Sequence, residues 1–245
     1  MIAIQVPAQA LFATMPDTMT ISDGDIAVWP DGQTVREPAA SLYWTRFEDR
    51  ERFEQPLKDV IDRIFERDFK RERPETGALG GRKIHHVDLW GIPEATLIDE
   101  RAKQLFRIAT GSAEAHVDLS WANIYQDGDH IGPHAHERAL ASVVYSLDEG
   151  EPDSDPNAGE LFLVDPRLEV CCGHAPGIMT TPFRFNLSTG CMVLFPGHAV
   201  HYVAPYRGKT QPRITLAWNI NAVALPGSFK DDHADIPERV PRVWD

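Results

Sequence analysis

The chain has 245 residues, 42% of them hydrophobic and 25% charged, which is ordinary for a globular protein and long enough for one sizeable core. Its formal net charge of −13 disfavours binding to the phosphates of nucleic acids, and no apolar run is long enough to span a membrane. The amino-terminal segment lacks the basic region of a signal peptide, so we expect a cytoplasmic protein.

The amino-terminal part, residues 1–113, contains two predicted amphipathic helices. The first is "PLKDVIDRIFERDF", which begins at Pro56, a residue suited to a first helical turn. The second is "PEATLIDERAKQLFRIATG", which begins at Pro93 and ends at Gly111. The apolar positions that share a face at helical spacing are Leu57, Ile61 and Ile64 in the first helix and Ile98, Ala102, Leu105 and Ala109 in the second. Both faces predict packing against a flat apolar surface and carry no chemistry.

Short β-strands are predicted from residue 114 onward. "AHVDLSWANIY" alternates in polarity, which places five side chains on one face: Val117, Leu119, Trp121, Asn123 and Tyr125. "ALASVVYSL", "GELFLV", "CMVLF", "AVHYVA" and "RITLAWNI" follow, separated by clusters of Gly, Pro, Asp and Asn. This pattern predicts a single α+β domain, mainly β, with a jelly-roll core over residues 114–222 and a surface tail over residues 223–245.

The three cysteines, Cys171, Cys172 and Cys191, are an odd number and two of them are adjacent. This is a poor basis for a disulfide framework, so we predict reduced thiols. The segment "CCGH" lacks the C-x-x-C spacing of a zinc site.

Histidines cluster in "DGDHIGPHAHERA", residues 127–139. In an extended segment, His134 and His136 point to the same side and can bind one metal ion. His201 lies in an apolar strand, where a histidine is more often a structural residue, but a histidine pair on another strand makes it a candidate third ligand. Arg213 opens the last apolar strand and either pairs with an acid at the strand mouth or binds a carboxylate ligand.

This ordered series of motifs resembles the Fe(II)- and 2-oxoglutarate-dependent oxygenases of the double-stranded β-helix fold. More closely, it resembles a bacterial group with an H-x-H…H…R-x-S/T pattern and largely unassigned substrates. The elements that match, in order, are Trp121, Asn123, Gly128, His134, His136, "SVVYSL", "GELFLVDPR", "GCMVLFP", "HYVAP", Arg213-Ile214-Thr215 and Asn219. They span residues 121–219, whereas residues 1–113 add little to the resemblance.

The resemblance implies cofactors and roles for particular residues. Fe(II) is expected on His134, His136 and His201, with positions open for 2-oxoglutarate and O₂. The far carboxylate of 2-oxoglutarate is expected on Arg213, helped by Thr215 or Tyr125. Asn123 either hydrogen-bonds the co-substrate or serves as a structural amide between strands. His130 and Trp121 are expected close to the ligands or on the substrate side.

One position departs from the superfamily pattern, because His136 occupies the place where a carboxylate ligand is usual. Three ligand sets are open: the three imidazoles together, His134 and His201 with water, or a set completed by Glu137, Glu160 or Asp165. An all-imidazole set carries one negative charge fewer than the usual set. It therefore holds Fe(II) less tightly and allows zinc to compete.

The favoured function is a 2-oxoglutarate-dependent hydroxylase that acts on a small molecule or on an amino-acid or peptidyl substrate. The alternative is a cupin-like metal enzyme with three histidines that bind iron or zinc and no use of 2-oxoglutarate; Arg213 argues against it. A non-catalytic jelly-roll binding module is the third hypothesis, and the number of ordered matches argues against that. Halogenation is disfavoured because it requires a small residue where His136 stands.

Overall fold

The computed structural model describes most of the chain, and two sets of predictions fall outside the described part. The described residues are 3–5, 17–39, 41–68, 81–136, 138–164 and 182–226. The predictions made for Glu137, Asp165, Cys171, Cys172 and residues 227–245 of the tail lie outside them.

Fourteen strands and two α-helices are present in the described residues. The strands are β1 (Ala3–Gln5), β2 (Thr18–Ile21), β3 (Gly24–Ala27), β4 (Thr34–Ala39), β5 (Leu42–Arg46), β6 (Arg82–His85), β7 (His116–Tyr125), β8 (Ile131–His134), β9 (Ala141–Asp148), β10 (Leu161–Val164), β11 (Phe183–Phe185), β12 (Cys191–Pro196), β13 (Val200–Val203) and β14 (Arg213–Asn221). The helices are α1 (Glu54–Asp68) and α2 (Pro93–Thr110).

Two antiparallel sheets form the core of the fold. The large sheet has eight strands in the order β1-β4-β5-β12-β9-β14-β7-β6, and the small sheet has four in the order β11-β10-β13-β8. Strands β2 and β3 form a separate hairpin. The prediction of a mainly β jelly roll with flanking helices is confirmed.

The amino-terminal part contributes four strands to the large sheet, in addition to the two predicted helices. Strand β5 pairs with β12, and β6 pairs with β7, so both edges of the jelly-roll sheet are extended by this part of the chain. These strands were not predicted. They are short, and β5 and β6 join the jelly-roll sheet through strands far away in sequence, so local alternation gives little sign of them.

Helix α1 packs on the outer face of the large sheet, as its apolar stripe predicts. Leu57, Ile61 and Ile64 are buried in the larger hydrophobic core. The helix begins at Glu54, two residues before the predicted start at Pro56, so the proline occupies the first turn and costs no internal hydrogen bond.

Helix α2 has the predicted bounds and the predicted buried face. It begins at Pro93, and Gly111 ends it in a left-handed conformation with φ of 69°, a conformation that glycine adopts without strain. The side chains of its apolar face lie in or against the same core: Ile98, Ala102, Leu105 and Ala109. Neither of the helices described is long and apolar enough to cross a membrane.

A buried arginine fixes α2 to the amino-terminal strands. Arg101 is fully buried, and its guanidinium donates to both carboxylate oxygens of Asp49 at 2.9 and 2.6 Å. The same group donates to the carbonyl oxygens of Val28 and Ala27. The charge therefore has an acidic partner and further acceptors, which is what makes a buried charge tolerable.

The face assignment predicted for β7 is wrong at Val117. The register between β14 and β7 shifts between Asn219 and Ile220, where β7 carries one extra residue. Because a bulge of this kind reverses the alternation, Val117 packs in the larger core together with Ala122. The odd-numbered residues from Trp121 onward face the small sheet, as predicted.

Candidate metal centre

A cavity lies between the two sheets, and most of the predicted site residues line it. It is bounded by the inner faces of β6, β7, β9, β12 and β14 from the large sheet and of β8, β10 and β13 from the small one. The polar side chains of its lining are Lys83, Trp121, Asn123, Tyr125, His134, His136, Ser142, His201, Arg213 and Thr215. No aspartate or glutamate is present among the described residues that line it.

Three imidazoles converge in this cavity. His134 ends β8 and stands directly opposite His201 of β13 in the antiparallel register. His136 follows two residues later, and its Nε2 lies 3.3 Å from Nε2 of His201. One ligand nitrogen from each of the three histidines lies within 4.8 Å of the other two, which makes this group able to hold one metal ion.

Backbone carbonyls orient two of the three rings. Nδ1 of His134 donates to the carbonyl oxygen of Gly132 at 2.9 Å, and Nδ1 of His201 donates to that of Ala199 at 2.9 Å. Because a carbonyl oxygen only accepts, the proton of each neutral ring is on Nδ1. Nε2 of each ring therefore keeps its lone pair for a metal, an arrangement common among metal-binding histidines.

The three imidazoles are held in their neutral form. Burial, followed by the neighbouring His201 and His134, lowers the pKa of His136 to about 3. Burial lowers the pKa of His201 to about 4, and it also lowers the pKa of His134. Neutral imidazole is the form that binds metals, so ligation requires no loss of a proton near neutral pH.

The loop that carries His136 is fixed by two residues outside the cavity lining. The N–H of His136 donates to the carbonyl oxygen of Gly197 at 2.7 Å. A Cβ on Gly197 would overlap the carbonyl oxygen of Ala139, so only glycine allows this approach. Asn221 accepts from the N–H of Leu140 at 2.8 Å and donates to the carbonyl oxygen of Arg138 at 3.0 Å. His136 is thereby positioned although it lies beyond the end of β8.

Arg213 is a buried cation at the other end of the cavity. Its side chain is 4% exposed, and its guanidinium carbon lies 5.7 Å from the centre of the Tyr125 ring. No hydrogen bond or ion pair to this guanidinium is present among the described residues. Burial lowers the pKa of Arg213, although Tyr125 and Glu160 oppose the effect. A buried guanidinium without a bonded acceptor is the arrangement expected of a site that binds an anionic ligand.

A chain of hydrogen bonds runs along β7 and β14 beside Arg213. Nε1 of Trp121 donates to Oδ1 of Asn123 at 3.1 Å, and Nδ2 of Asn123 donates to Oγ1 of Thr215 at 3.3 Å. The Thr215 hydroxyl is in turn a hydrogen-bonding partner of Tyr125, whose pKa burial raises to about 12. Because the amide of Asn123 already bonds on both sides, it fixes the direction of the Thr215 hydroxyl.

Lys83 lines the same cavity and was not predicted from the sequence. It lies on β6 opposite Asn123, and its Nζ is 5.6 Å from the centre of the Trp121 ring. Burial lowers the pKa of Lys83, and its charge acts on both His134 and His136. In "GRKIHH" a lysine beside an arginine resembles a solvated charge, and only its alternation with the apolar Ile84 indicates a face.

Three further polar residues, two of them candidates from the sequence, lie outside the histidine group. His130 is half-buried, donates from Nδ1 to the carbonyl oxygen of Gly128 at 3.2 Å, and is not among the described residues of the lining. Glu160 is half-buried, and its carboxylate acts on Arg213 instead of joining the histidine group. His198, in the turn before β13, is exposed.

Comparison with known families agrees with this geometry. Residues 119–219 match the family model described as "Putative 2OG-Fe(II) oxygenase". The match covers 101 of the 245 residues and includes His134, His136, His201 and Arg213. The predicted family and enzyme class, a 2-oxoglutarate-dependent dioxygenase, are thereby confirmed, and the family implies Fe(II), 2-oxoglutarate and O₂ as cofactor and co-substrates. No curated protein matches the sequence of this chain.

Solved structures share the fold of this chain at low sequence identity. A prolyl-4-hydroxylase from Pseudomonas putida is 17% identical, with a TM-score of 0.52 over 74% of this chain and 93% of that one. The carbocyclase SnoK from nogalamycin biosynthesis is 10% identical, with a TM-score of 0.53 over 82% of this chain and 88% of that one. The epimerase SnoN from the same biosynthesis is 13% identical, with a TM-score of 0.53 over 77% and 86%.

The residues present fit an iron ion and 2-oxoglutarate. Two nitrogens bound to one ion at about 2.1 Å and at right angles to each other lie roughly 3 Å apart, close to the 3.3 Å between the Nε2 atoms of His136 and His201. Neutral imidazole is a suitable ligand for iron. The unpaired guanidinium of Arg213 in the same cavity provides a counter-charge for a carboxylate.

Proposed function

We propose that this oxygenase is a hydroxylase that oxidises an unactivated C–H bond of a small molecule or of an amino-acid or peptidyl substrate. In the proposed reaction, 2-oxoglutarate loses its C1 as CO₂ and becomes succinate. One atom of O₂ enters succinate and the other enters the substrate as a hydroxyl group. The metal and the co-substrate supply this oxidation, and the protein binds, orients and shields them.

The observation that carries the proposal is the presence of two complementary features in one cavity. Three neutral imidazoles converge at one point, and a buried guanidinium with no bonded partner among the described residues lies at another. A diacid that binds the metal at one end and Arg213 at the other satisfies both. A site that used the metal alone would have no need for the buried charge, whose burial is costly without a partner.

We propose His134, His136 and His201 as the iron ligands. The convergence of one ligand nitrogen from each of the three rings supports this set over His134 and His201 with water. Among the described residues the cavity lining holds no carboxylate, and Glu160 acts on Arg213; Glu137 and Asp165 lie outside the described residues. Each ring is neutral, so the protein ligands bring no negative charge to Fe(II). This favours weaker iron binding than a set with a carboxylate and allows zinc to compete.

We propose that Arg213, Thr215 and Tyr125 bind the far carboxylate of 2-oxoglutarate. The guanidinium offers a bidentate, charged contact, and a buried hydroxyl next to it adds a directed hydrogen bond. Asn123 acts by holding Thr215, and Trp121 acts by holding Asn123. In this proposal Asn123 is a positioning residue for the co-substrate.

The test begins with anaerobic protein to which Fe(II) and then 2-oxoglutarate are added. The expected result is a visible charge-transfer band that requires both, followed by succinate production when O₂ is admitted. Absence of the band, together with an unchanged affinity for 2-oxoglutarate in Arg213→Ala, would falsify the proposal. His136→Ala tests the ligand set separately: a strong loss of bound iron supports three imidazoles, and near-normal iron supports His134 and His201 with water.

The second candidate function is a metal enzyme that uses three histidines without 2-oxoglutarate. The observation that favours it is the all-imidazole set itself, which such enzymes also use. It predicts stoichiometric iron or zinc binding with no spectral change on addition of 2-oxoglutarate. The same anaerobic titration therefore separates the two functions.

A further inference from the structure

A second cation, Lys83, lies at the histidine end of the cavity. Its side chain is half-buried, its Nζ lies near the Trp121 ring, and Trp121 is next to His136, with ring centres 5.7 Å apart. No ion pair or hydrogen bond to its ammonium group is present among the described residues. A lysine that only served solubility would extend into water, where its charge is hydrated.

The two cations occupy different parts of the cavity. Arg213 stands opposite Tyr125 on the β14 side of β7, whereas Lys83 stands opposite Asn123 on the β6 side. The charge of Lys83 acts on His134 and His136, and the groups that act on Arg213 include none of the histidines. A diacid that reaches from the metal to Arg213 therefore leaves Lys83 facing another part of the cavity.

The net charge of the cavity remains positive when Fe(II) and 2-oxoglutarate are bound. The two charges of Fe(II) are balanced by the two carboxylates of 2-oxoglutarate, while the imidazoles are neutral and the described lining holds no acid. Glu160 acts on Arg213, whereas no acid of the described lining acts on Lys83, so the positive charge of Lys83 is in excess. An enclosed region of one sign attracts ligands of the other sign and strengthens their binding.

We propose that Lys83 is a specificity-determining residue that binds an anionic group, a carboxylate or a phosphate, of the substrate. This proposal rests on the proposed function and adds to it the class of substrate. The ammonium is a compact charge with rotatable donors, which suits either anion. The Trp121 ring beside it provides an apolar surface for the carbon atoms that adjoin the anionic group.

The experiment measures ligand binding to Zn(II)-substituted protein in the presence of 2-oxoglutarate, because zinc is diamagnetic and gives no turnover. The probes are two matched pairs, benzoate with benzamide and phenyl phosphate with phenol. Ligand-observed NMR titration measures the affinity of each probe. We expect the anionic member of at least one pair to bind ten-fold or more tightly than its neutral partner. Preference in the first pair indicates a carboxylate, and preference in the second indicates a phosphate.

The variants assign this preference to Lys83. Lys83→Met should lose it, Lys83→Arg should retain it, and Lys209→Met should resemble the wild type, because Lys209 is exposed and lies outside the cavity lining. The proposal is overturned if neither pair shows a preference or if the preference persists in Lys83→Met. It is also overturned if Lys83→Met weakens 2-oxoglutarate binding ten-fold, since Lys83 would then serve the co-substrate.

Failure of this inference can be distinguished from failure of the proposed function. A wild-type protein that gives the Fe(II)–2-oxoglutarate band but no anion preference contradicts only the role of Lys83. A protein without that band contradicts the proposed function, on which the role of Lys83 rests.

Discussion

Two buried arginines of this protein lie in opposite environments. Arg101, on helix α2, is fully buried. It makes two hydrogen bonds to Asp49 and one to each of two backbone carbonyl oxygens. Arg213, between the sheets, is 4% exposed and has no such partner among the described residues. The fold thus satisfies one guanidinium internally and leaves the other available to a ligand.

The difference shows how a structural charge can be distinguished from a functional one. Burial alone does not separate them, because both side chains are almost inaccessible to water. The presence of a bonded partner separates them, because a paired charge contributes to the fold, whereas an unpaired one costs free energy that a ligand can recover. The unpaired arginine is also the one that shares a cavity with three converging imidazoles.

The largest expected effect is on stability and concerns Arg101. Arg101→Met should lower the free energy of unfolding by about 3 kcal/mol, because it leaves the carboxylate of Asp49 without its partner. The matched variant Arg213→Met should change it by less than about 1 kcal/mol, because no internal acceptor loses a bond. Urea unfolding of both variants, followed by circular dichroism, makes the measurement. Equal destabilisation of the two would remove the distinction between them.

The next effect concerns the loop that positions His136. Asn221→Ala should weaken Fe(II) binding about ten-fold, because two hydrogen bonds that hold this loop are lost. His198→Ala, which alters an exposed histidine nearby, should leave iron binding unchanged. Competition with a chromogenic chelator measures the affinity.

A double variant checks the route of this effect. In a His136→Ala background, Asn221→Ala should produce no further loss of iron affinity, because the two changes act on the same ligand. Additive losses would show that Asn221 acts elsewhere.

The smallest effect concerns the hydroxyl beside Arg213. Thr215→Val should raise the dissociation constant of 2-oxoglutarate about five-fold, which corresponds to the loss of one hydrogen bond of about 1 kcal/mol. Thr215→Ser keeps the hydroxyl and should restore the affinity. Isothermal titration of the Mn(II)-loaded protein measures both. Equal affinities of the valine variant and the wild type would exclude the hydroxyl from co-substrate binding.

The jelly-roll part of the fold could be predicted from the sequence because its strands carry their own signals. The runs that became β9, β12 and β14 are apolar and bounded by turn residues. Strands β5 and β6 could not be predicted in this way, since each pairs with a strand far along the chain. Val117 was assigned to the wrong face because a bulge depends on the partner strand as well as on β7.

The site residues also differ in whether the sequence predicts them. His134, His136 and Arg213 stand in local motifs whose spacing suggests their chemistry, and the structure brings them into one cavity. Lys83 and Asn221 have no such motif. Their relevance arises from what lies next to them in space: Trp121 for the lysine, and the backbone of the His136 loop for the asparagine.

The most direct test of the account is the dissociation constant of 2-oxoglutarate for the Fe(II)-loaded wild type and Arg213→Met, measured anaerobically through the charge-transfer band. The account predicts about 100-fold weaker binding in the variant, the cost of removing a charged bidentate contact in a buried site, with iron binding unchanged. Equal dissociation constants in the two proteins would contradict the claim that the unpaired arginine exists to bind the co-substrate.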